Sequence, residues 1–188
     1  AQSNYLAFAR RLKQIGLDNG IICNQGHAPL PSSPKSKDWL KRAIECLAEA
    51  GGEICIIHPM NNGTPQENAE MYFELLPFAK EHNVKIATEN MFNWNYGPAP
   101  AACSSPESFV KHLEAVNDDF FVACLDIGHT ELVREKPDDF IRTLGGGYLK
   151  CLHVHDVDMV NYLFGLPKAV STVGKIILPG SGHDSVST

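Results

Sequence analysis

Short apolar runs recur along the chain, and each is followed by a polar loop and then by an amphipathic stretch. The runs span residues 20–23, 54–57, 84–87, 120–125 and 148–154. Their continuous apolar and β-branched character is typical of strands that are covered on both faces, as in a parallel sheet. The pattern therefore predicts five parallel strands, and a sixth strand is expected at residues 175–178.

Helix start signals lie in the intervals between these runs. Thr64 and Glu67 have the spacing of a capping box, with Pro65 at the first helical position. Further helix starts are found at Tyr5, Asp38, Ser105 and Pro137. The glycines at 145–147 are expected to end the last helix. Strands and helices thus alternate about every 30 residues, which requires right-handed crossovers and a parallel sheet.

Two architectures have this alternation, the doubly wound open sheet and the (β/α)₈ barrel. Neither a G-x-G-x-x-G loop nor a P-loop is present. Instead, ligand-type residues end or closely follow the runs: His27, His58, Glu89, Asp126 and His153. In a closed barrel these strand ends meet on one face, whereas an open sheet would spread them along an edge. The sequence therefore predicts an α/β fold of the (β/α)₈ TIM-barrel type with parallel strands.

The length of the chain makes this barrel incomplete. A full barrel takes about 250 residues, and this chain has 188. We expect one truncated barrel domain over residues 1–188, in which the first and last strands are missing or altered. The Gly- and Ser-rich residues 179–188 are expected to form a flexible tail.

Composition and charge narrow the range of partners. A net charge of -6 without a run of Lys or Arg gives no electrostatic footprint for nucleic acid or an anionic membrane. The apolar stretches are far shorter than the roughly 20 residues of a membrane helix, and no signal sequence is recognisable, so a cytoplasmic protein is expected. The six cysteines form no C-x-x-C pair, and we expect reduced core residues.

The ligand-type side chains that are expected to converge at the strand ends are suited to bind a metal ion. His, Glu and Asp around one point form a mixed nitrogen and oxygen set for a divalent ion such as Mn²⁺, Zn²⁺, Co²⁺ or Mg²⁺. His129 follows Asp126 by three residues, and a tight turn at Gly128 can aim both side chains at one site. His153 and His155 lie on the same side of a strand. His153 is the expected ligand, and His155 either orients it, contacts substrate or belongs to a structural hydrogen-bonded pair.

Other histidines and aromatic residues have ordinary explanations. His82 and His112 are expected to be solvated. Phe92, Trp94 and Tyr96 follow Glu89 and either form an apolar wall at the barrel mouth or pack the loop.

Four motifs occur in a recognisable order. They are Ile56-Ile57-His58-Pro59, Thr88-Glu89-Asn90-Met91, Leu125-Asp126-Ile127-Gly128-His129 and Leu152-His153-Val154-His155-Asp156. Together they resemble the sugar phosphate isomerase/epimerase family, whose fold is the xylose isomerase-like barrel shared with endonuclease IV. The resemblance covers about residues 5–160.

The resemblance implies a function and a set of roles. A sugar or sugar phosphate would exchange a proton beside its carbonyl through an enediolate, with Glu89, Asp126 and His153 as metal ligands and Glu89 also as catalytic base. His27 and His58 match positions that supply further zinc ligands in the endonuclease branch. His129 matches either another such ligand or a substrate contact.

The sequence also departs from the family. The second catalytic glutamate has no counterpart, because no Glu follows Glu135. Inversion at a carbon needs bases on both faces, so we expect little or no epimerase activity from this chain. Two alternatives stay open: a zinc phosphodiesterase like endonuclease IV, and a non-catalytic barrel remnant. Because the edges of the outer strands would be unpaired, we expect either that copies of the chain associate into a homo-oligomer or that the barrel stays incomplete.

Overall fold

The computed structural model describes residues 4–93 and 101–154, together with the backbone of residues 173–175 and 185–187. These residues fall into two compact units, Ala1–His153 and Val154–Thr188. The helices in the described residues are α1 Tyr5–Asp18, α2 Lys37–Ala50, α3 Pro65–Glu81, α4 Pro106–Val116, α5 Ile127–Leu132 and α6 Pro137–Tyr148. None of the helices that the structure describes is long and apolar enough to cross a membrane.

The first unit contains one parallel sheet. Its strands are β1 Gln25–His27, β2 Ile54–Ile56, β3 Lys85–Glu89, β4 Phe121–Asp126 and β5 Leu149–His153, and they lie side by side in chain order. Every neighbouring pair is parallel. This half-barrel confirms the predicted α/β barrel type. In the second unit, β6 Val173–Lys175 pairs antiparallel with β7 Ser185–Ser187.

The main core fills the space between the sheet and the helices. Alternate strand residues such as Cys55, Ile86 and Leu125 face outward into this core. The helices contribute buried apolar side chains, among them Leu40 and Ile44 of α2, Tyr72 and Leu75 of α3, Phe109 and Leu113 of α4, and Phe140 and Leu144 of α6. Burial of one face of each helix against the sheet is the main stabilising contribution of this layer.

The other strand residues face the concave side of the sheet. Ile56, Ala87, Val122, Cys124 and Cys151 form a separate small cluster there. The curvature is strong, because Gln25 in β1 donates from Nε2 to the carbonyl oxygen of Leu152 in β5 at 2.9 Å, although these strands lie at opposite edges of the sheet. The concave side is therefore a narrow, side-chain-filled interior, as in a TIM barrel.

The strand ends are offset by two residues between β1 and β2 and again between β3 and β4, and they are level between the other neighbours. His27 pairs with Ile56, so His58 lies two residues beyond that pair. Ile56 pairs with Ala87, so His58 and Glu89 are level. Glu89 pairs with Cys124, two residues before Asp126, and Asp126 pairs with His153. Tilted strands with this stagger bring their ends to one rim of a barrel.

The first predicted strand is displaced. The apolar run at 20–23 is not a strand, and β1 follows it at Gln25–His27. Ile21 and Ile22 are 64% and 77% exposed. Among the described residues β1 pairs only with β2. The apolar run at 20–23 therefore has no neighbouring strand there with which to pair. Instead, the Ile21 amide donates to the Gly16 carbonyl oxygen at 2.8 Å. The expected strand at 175–178 overlaps β6 only at Lys175, and residues 176–178 lie outside the described residues.

The expected helix end at the three glycines is confirmed in part, because Gly145 has a non-helical conformation with a φ of 57° that breaks α6, although helical residues continue to Tyr148. Two further expectations need correction. His112 is 4% exposed and not solvated, because it lies on the buried face of α4 and its Nδ1 hydrogen-bonds the Ser108 carbonyl oxygen. Cys23 is exposed, whereas four of the six free cysteines are buried. Within the expected tail, the structure describes only the backbone of Ser185–Ser187.

The predicted capping box at the start of α3 can be tested by mutation of Thr64. Thr64 Oγ1 accepts from the Glu67 amide at 3.2 Å, and Glu67 Oε2 accepts from the Thr64 amide at 2.8 Å. Thr64→Ala should lower the free energy of unfolding by about 1 kcal/mol in urea titrations, whereas Thr64→Ser should stay within about 0.5 kcal/mol of wild type. Equal losses in both variants would contradict a role for the hydroxyl group.

Candidate functional site

The carboxyl ends of the five strands carry the candidate site. Four of the five expected strand-end residues lie two positions after a residue of the interior cluster, as His58 follows Ile56 and Glu89 follows Ala87. The fifth, His27, contacts Glu89 and His58 directly. Because side chains alternate along a strand, all five point into the mouth of the half-barrel. The five residues are His27, His58, Glu89, Asp126 and His153.

Glu89 is the centre of this cluster. It is fully buried. Its Oε1 lies 2.9 Å from Nδ1 of His153, and its Oε2 lies 3.1 Å from Nε2 of His58 and 3.4 Å from Nε2 of His27. One carboxylate thus contacts histidines from three different strand ends.

His27 and His58, which both lie near Oε2 of Glu89, also contact each other. Their Nε2 atoms are 2.9 Å apart, and the rings meet edge to face. Nδ1 of His27 lies 2.6 Å from the carbonyl oxygen of Ala28. Because a carbonyl only accepts hydrogen bonds, this contact places a proton on Nδ1 of His27. When His27 is neutral its Nε2 carries a lone pair that a metal ion can use, and when the imidazole is protonated Nε2 donates to Glu89.

Asp126 and His129 form the opposite side of the cluster. Asp126 caps α5, since its Oδ1 accepts from the His129 amide at 3.0 Å. Its Oδ2 lies 3.2 Å from Nδ1 of His153 and 3.8 Å from Nε2 of His129. The short helix α5, which the sequence pattern did not reveal, replaces the expected tight turn and aims His129 back at the carboxylates.

The side chains form two groups that could each hold a metal ion. One group is His27, His58 and Glu89, and the other is Glu89, Asp126 and His129; within each group one ligand atom per residue lies within 4.8 Å of the others. Ligands about 2.0–2.2 Å from a tetrahedral ion lie roughly 3.3–3.6 Å apart. The separations of 2.9, 3.1 and 3.4 Å in the first group are close to this spacing. The donor set and its geometry therefore fit a divalent ion.

Burial and charge compete in setting the pKa values of these groups. Burial alone would raise the pKa of Glu89, but hydrogen bonds from His27, His58 and His153 outweigh it and hold that pKa well below the usual range. Burial and the nearby Glu89 carboxylate raise the pKa of Asp126 despite its bond to the His129 amide. For His27, burial lowers the pKa, but Glu89 and the Ala28 carbonyl more than compensate and the net effect is a raised pKa.

A buried hydrogen-bond network supports β3 behind the site. The hydroxyl group of Tyr72 donates to the Ile57 carbonyl oxygen at 2.9 Å and lies 2.9 Å from Thr88 Oγ1. The Tyr72 contacts connect Ile57 and Thr88, the residues next to two candidate ligands, to helix α3. In the loop between β2 and α3, Asn68 accepts from the Met60 amide at 2.7 Å. Sequence reasoning missed them, because nothing in the spacing of Tyr72 or Asn68 distinguishes them from core residues of an amphipathic helix.

The structure brings together six of the predicted site residues. They are His27, His58, Glu89, Asp126, His129 and His153. His155 lies outside the described residues, as do Trp94 and Tyr96. Phe92 is buried and packs against the His129 ring at a centroid distance of 4.8 Å. Of the two expectations for Phe92, the structure therefore shows packing against a neighbouring side chain.

Comparison with known proteins agrees with the barrel fold. A family described as the xylose isomerase-like TIM barrel matches residues 1–166 of the chain. None of the curated proteins is significantly similar in sequence to this chain.

Several solved structures share the fold. A D-tagatose 3-epimerase-like protein has a TM-score of 0.64 and 22% identity over 78% of this chain and 60% of its own. D-psicose 3-epimerase, solved with D-fructose, has a TM-score of 0.65 and 16% identity over 81% of this chain and 59% of its own. The IOLI protein with a bound zinc atom has a TM-score of 0.61 and 16% identity, over 78% and 55%. The chain thus spans 55–60% of the length of these three structures.

The raised pKa of His27 gives the metal-free protein a characteristic pH dependence. The native state binds a proton more tightly than the unfolded state, so this group stabilises the fold fully below about pH 6.5, the ordinary His value, and less as the pH rises through the raised pKa. We expect the loss of unfolding free energy caused by His27→Gln, measured in chelator, to shrink as the pH increases from about 6 to 8.5.

The control for this measurement is His82→Gln. The described contacts of His82 are a hydrogen bond to the Phe78 carbonyl oxygen and a ring contact with Phe78, without a carboxylate. The unfolding free energy of His82→Gln is measured over the same pH range for comparison. A His27→Gln effect that grows with pH would show that the sign assigned to His27 is wrong.

Proposed function

The chain belongs to the xylose isomerase-like TIM barrel family, and from this premise we propose that it carries the metal site of a sugar or sugar phosphate isomerase or epimerase. The reaction class is proton exchange beside a carbonyl through an enediolate. The observation that carries the proposal is the convergence of Glu89, Asp126 and His153, where Nδ1 of His153 lies 2.9 Å from one carboxylate and 3.2 Å from the other. This triad lies at the barrel rim where enzymes of this fold hold their substrates.

A divalent ion held by Glu89, Asp126 and His153 would act as a Lewis acid on the carbonyl and neighbouring hydroxyl oxygens of the substrate. Mn²⁺, Zn²⁺, Co²⁺ and Mg²⁺ all accept such a set of nitrogen and oxygen ligands. His27, His58 and His129 lie close enough to the shared carboxylates to complete the coordination or to contact substrate oxygens.

The residues of this chain supply one base. Hydrogen bonds from three histidines lower the pKa of Glu89 and keep it ionised, which is the form that a general base requires. No Glu follows Glu135 in these 188 residues, and Asp126 is held beside Glu89 rather than across the mouth from it. We therefore assign proton abstraction on one face of the substrate to Glu89 and expect little inversion from the chain itself.

Metal binding is the first test. The chelator-treated protein should bind Co²⁺ or Mn²⁺ in titration calorimetry, and Glu89→Gln should weaken that binding by at least about 100-fold, because it removes a charged oxygen that belongs to both ligand groups. Glu74→Gln is the matched control, since Glu74 pairs with Lys37 on the exposed surface. Wild-type protein that binds neither ion would overturn the proposed metal site.

Substrate chemistry is the second test. Mn²⁺-loaded protein should bind members of a panel of ketoses and ketose phosphates, detected as changes in the water relaxation caused by the ion. In deuterated water, epimer formation should stay close to the protein-free blank, because a second base typically contributes about 10²- to 10⁴-fold. Deuterium incorporation without epimer formation is the result expected of one base, whereas epimer formation well above the blank that is lost in Glu89→Gln would show a complete epimerase and contradict the one-base assignment. No binding by any sugar would overturn the substrate class.

One observation favours a second candidate function. The additional group of His27, His58 and Glu89 could hold another zinc ion that shares Glu89 with the first, and a zinc cluster suits phosphodiester hydrolysis. The net charge of -6 opposes binding to a nucleic acid backbone. Cleavage of an abasic-site DNA duplex by the Zn²⁺-loaded protein, at low salt, would favour this function over sugar chemistry.

A further inference from the structure

The residue after Glu89 connects the two sides of the candidate site. Asn90 is 1% exposed. Its Nδ2 donates to the carbonyl oxygen of Asp126 at 2.9 Å, and its Oδ1 accepts from the amide of Asp126 at 2.7 Å. The amide side chain therefore pairs with both main-chain groups of a candidate ligand on the neighbouring strand.

The main chain of Asn90 makes a third contact. Its carbonyl oxygen lies 2.7 Å from Nδ1 of His129. Because the carbonyl can only accept, the proton of neutral His129 is assigned to Nδ1, and Nε2 keeps its lone pair. That Nε2 lies 3.8 Å from Asp126 Oδ2. Asn90 thus turns the ligand-capable nitrogen of His129 toward the Asp126 carboxylate.

These contacts begin where the regular sheet ends. The last pair between β3 and β4 is Glu89 with Cys124, so the main chain of Asp126 lies beyond the ladder that joins these strands. The Asn90 side chain takes the place of the missing ladder bonds. The carboxyl end of β4 is consequently fixed to β3 at the level of the site.

We propose that Asn90 is the positioning residue of the metal site, holding Asp126 and His129 in the geometry that binds the ion. The inference rests on the proposed function, because it concerns the same site. Asn90 touches the main chain of Asp126 and the imidazole of His129, and it acts through them. Residues that hold ligands in this way typically change metal affinity by about 10- to 100-fold when they are replaced.

Asparagine suits this position better than its close analogues. Aspartate has nearly the same shape but no Nδ2 donor, so its second oxygen would face the Asp126 carbonyl oxygen. Leucine would leave both the amide and the carbonyl group of Asp126 unpaired in a buried place. Glutamine is one methylene longer and would push the two strand ends apart.

The test compares Asn90→Asp with Asn68→Asp. Asn68 is also 1% exposed, and its amide likewise bonds main-chain groups on both sides, accepting from the Met60 amide and donating to the Met60 and Gly63 carbonyl oxygens at 3.2 Å. Both variants should lose thermal stability. Co²⁺ is the probe, since its visible absorption reports the ligand set and its titration gives the affinity, without any need for catalytic activity.

We expect Asn90→Asp to weaken Co²⁺ binding at least tenfold and to change the visible spectrum of the bound ion, whereas Asn68→Asp should change the affinity less than threefold and leave the spectrum intact. Wild-type affinity and spectrum in Asn90→Asp, or equal effects in both variants, would overturn the positioning role while the metal site stands. Failure of the wild-type protein to bind Co²⁺ would instead overturn the proposed function, and the inference with it.

A second variant protects the test against misfolding. Asn90→Ser is smaller, keeps a hydroxyl group and cannot reach both main-chain groups of Asp126 at once. It should fold more readily than Asn90→Asp and show the same direction of change in affinity and spectrum. If neither variant folds while Asn68→Asp does, Asn90 is a structural residue and the proposal is wrong.

Discussion

The arrangement of the half-barrel rim depends on one buried carboxylate. Glu89 is fully buried, and the desolvation of an ionised carboxylate costs several kcal/mol unless it is paired. His27, His58 and His153 provide that compensation from three different strands. Each histidine must therefore stay at its strand end for Glu89 to remain charged. The polar cluster fixes the relative positions of the strands, in the same way that it could fix a metal ion, and its replacement by apolar side chains would free the rim from this constraint.

The general architecture could be predicted because it follows from local patterns. Continuous apolar runs predicted β2 to β5 to within a few residues, and the spacing of Thr64 and Glu67 predicted a capping box that forms as expected. The displaced β1 shows the limit of such patterns. An apolar run becomes a strand only when a neighbour offers backbone hydrogen bonds, and Ile21 and Ile22 have no such neighbour among the described residues. Hydrophobicity alone does not contain that information.

The candidate site was predictable in its ligands but less so in its supporting contacts. The ligand-type residues were found because a parallel barrel gathers strand ends on one rim, and six of them lie together. The short helix α5 and the amide pairing of Asn90 could not be read from spacing, since both depend on the distance between β3 and β4 in space. His112 was misjudged for a similar reason: it is buried on the face of α4 that packs into the fold, and the packing of α4 against α3 and α6 cannot be read from its own sequence.

The two-residue steps in strand register have a geometric consequence for closure. From His27 to His153 the register advances by four residues across five strands. An eight-stranded barrel of this type has a shear of eight, so this sheet already contains half of the required offset. Strands that complete a barrel around this rim must therefore add four residues of offset, whichever polypeptide supplies them. With another value the ring would close with its two halves at different heights, and donor atoms from the new strands would miss the level of Glu89. The same stagger that aligns these ligands thus specifies what can complete them.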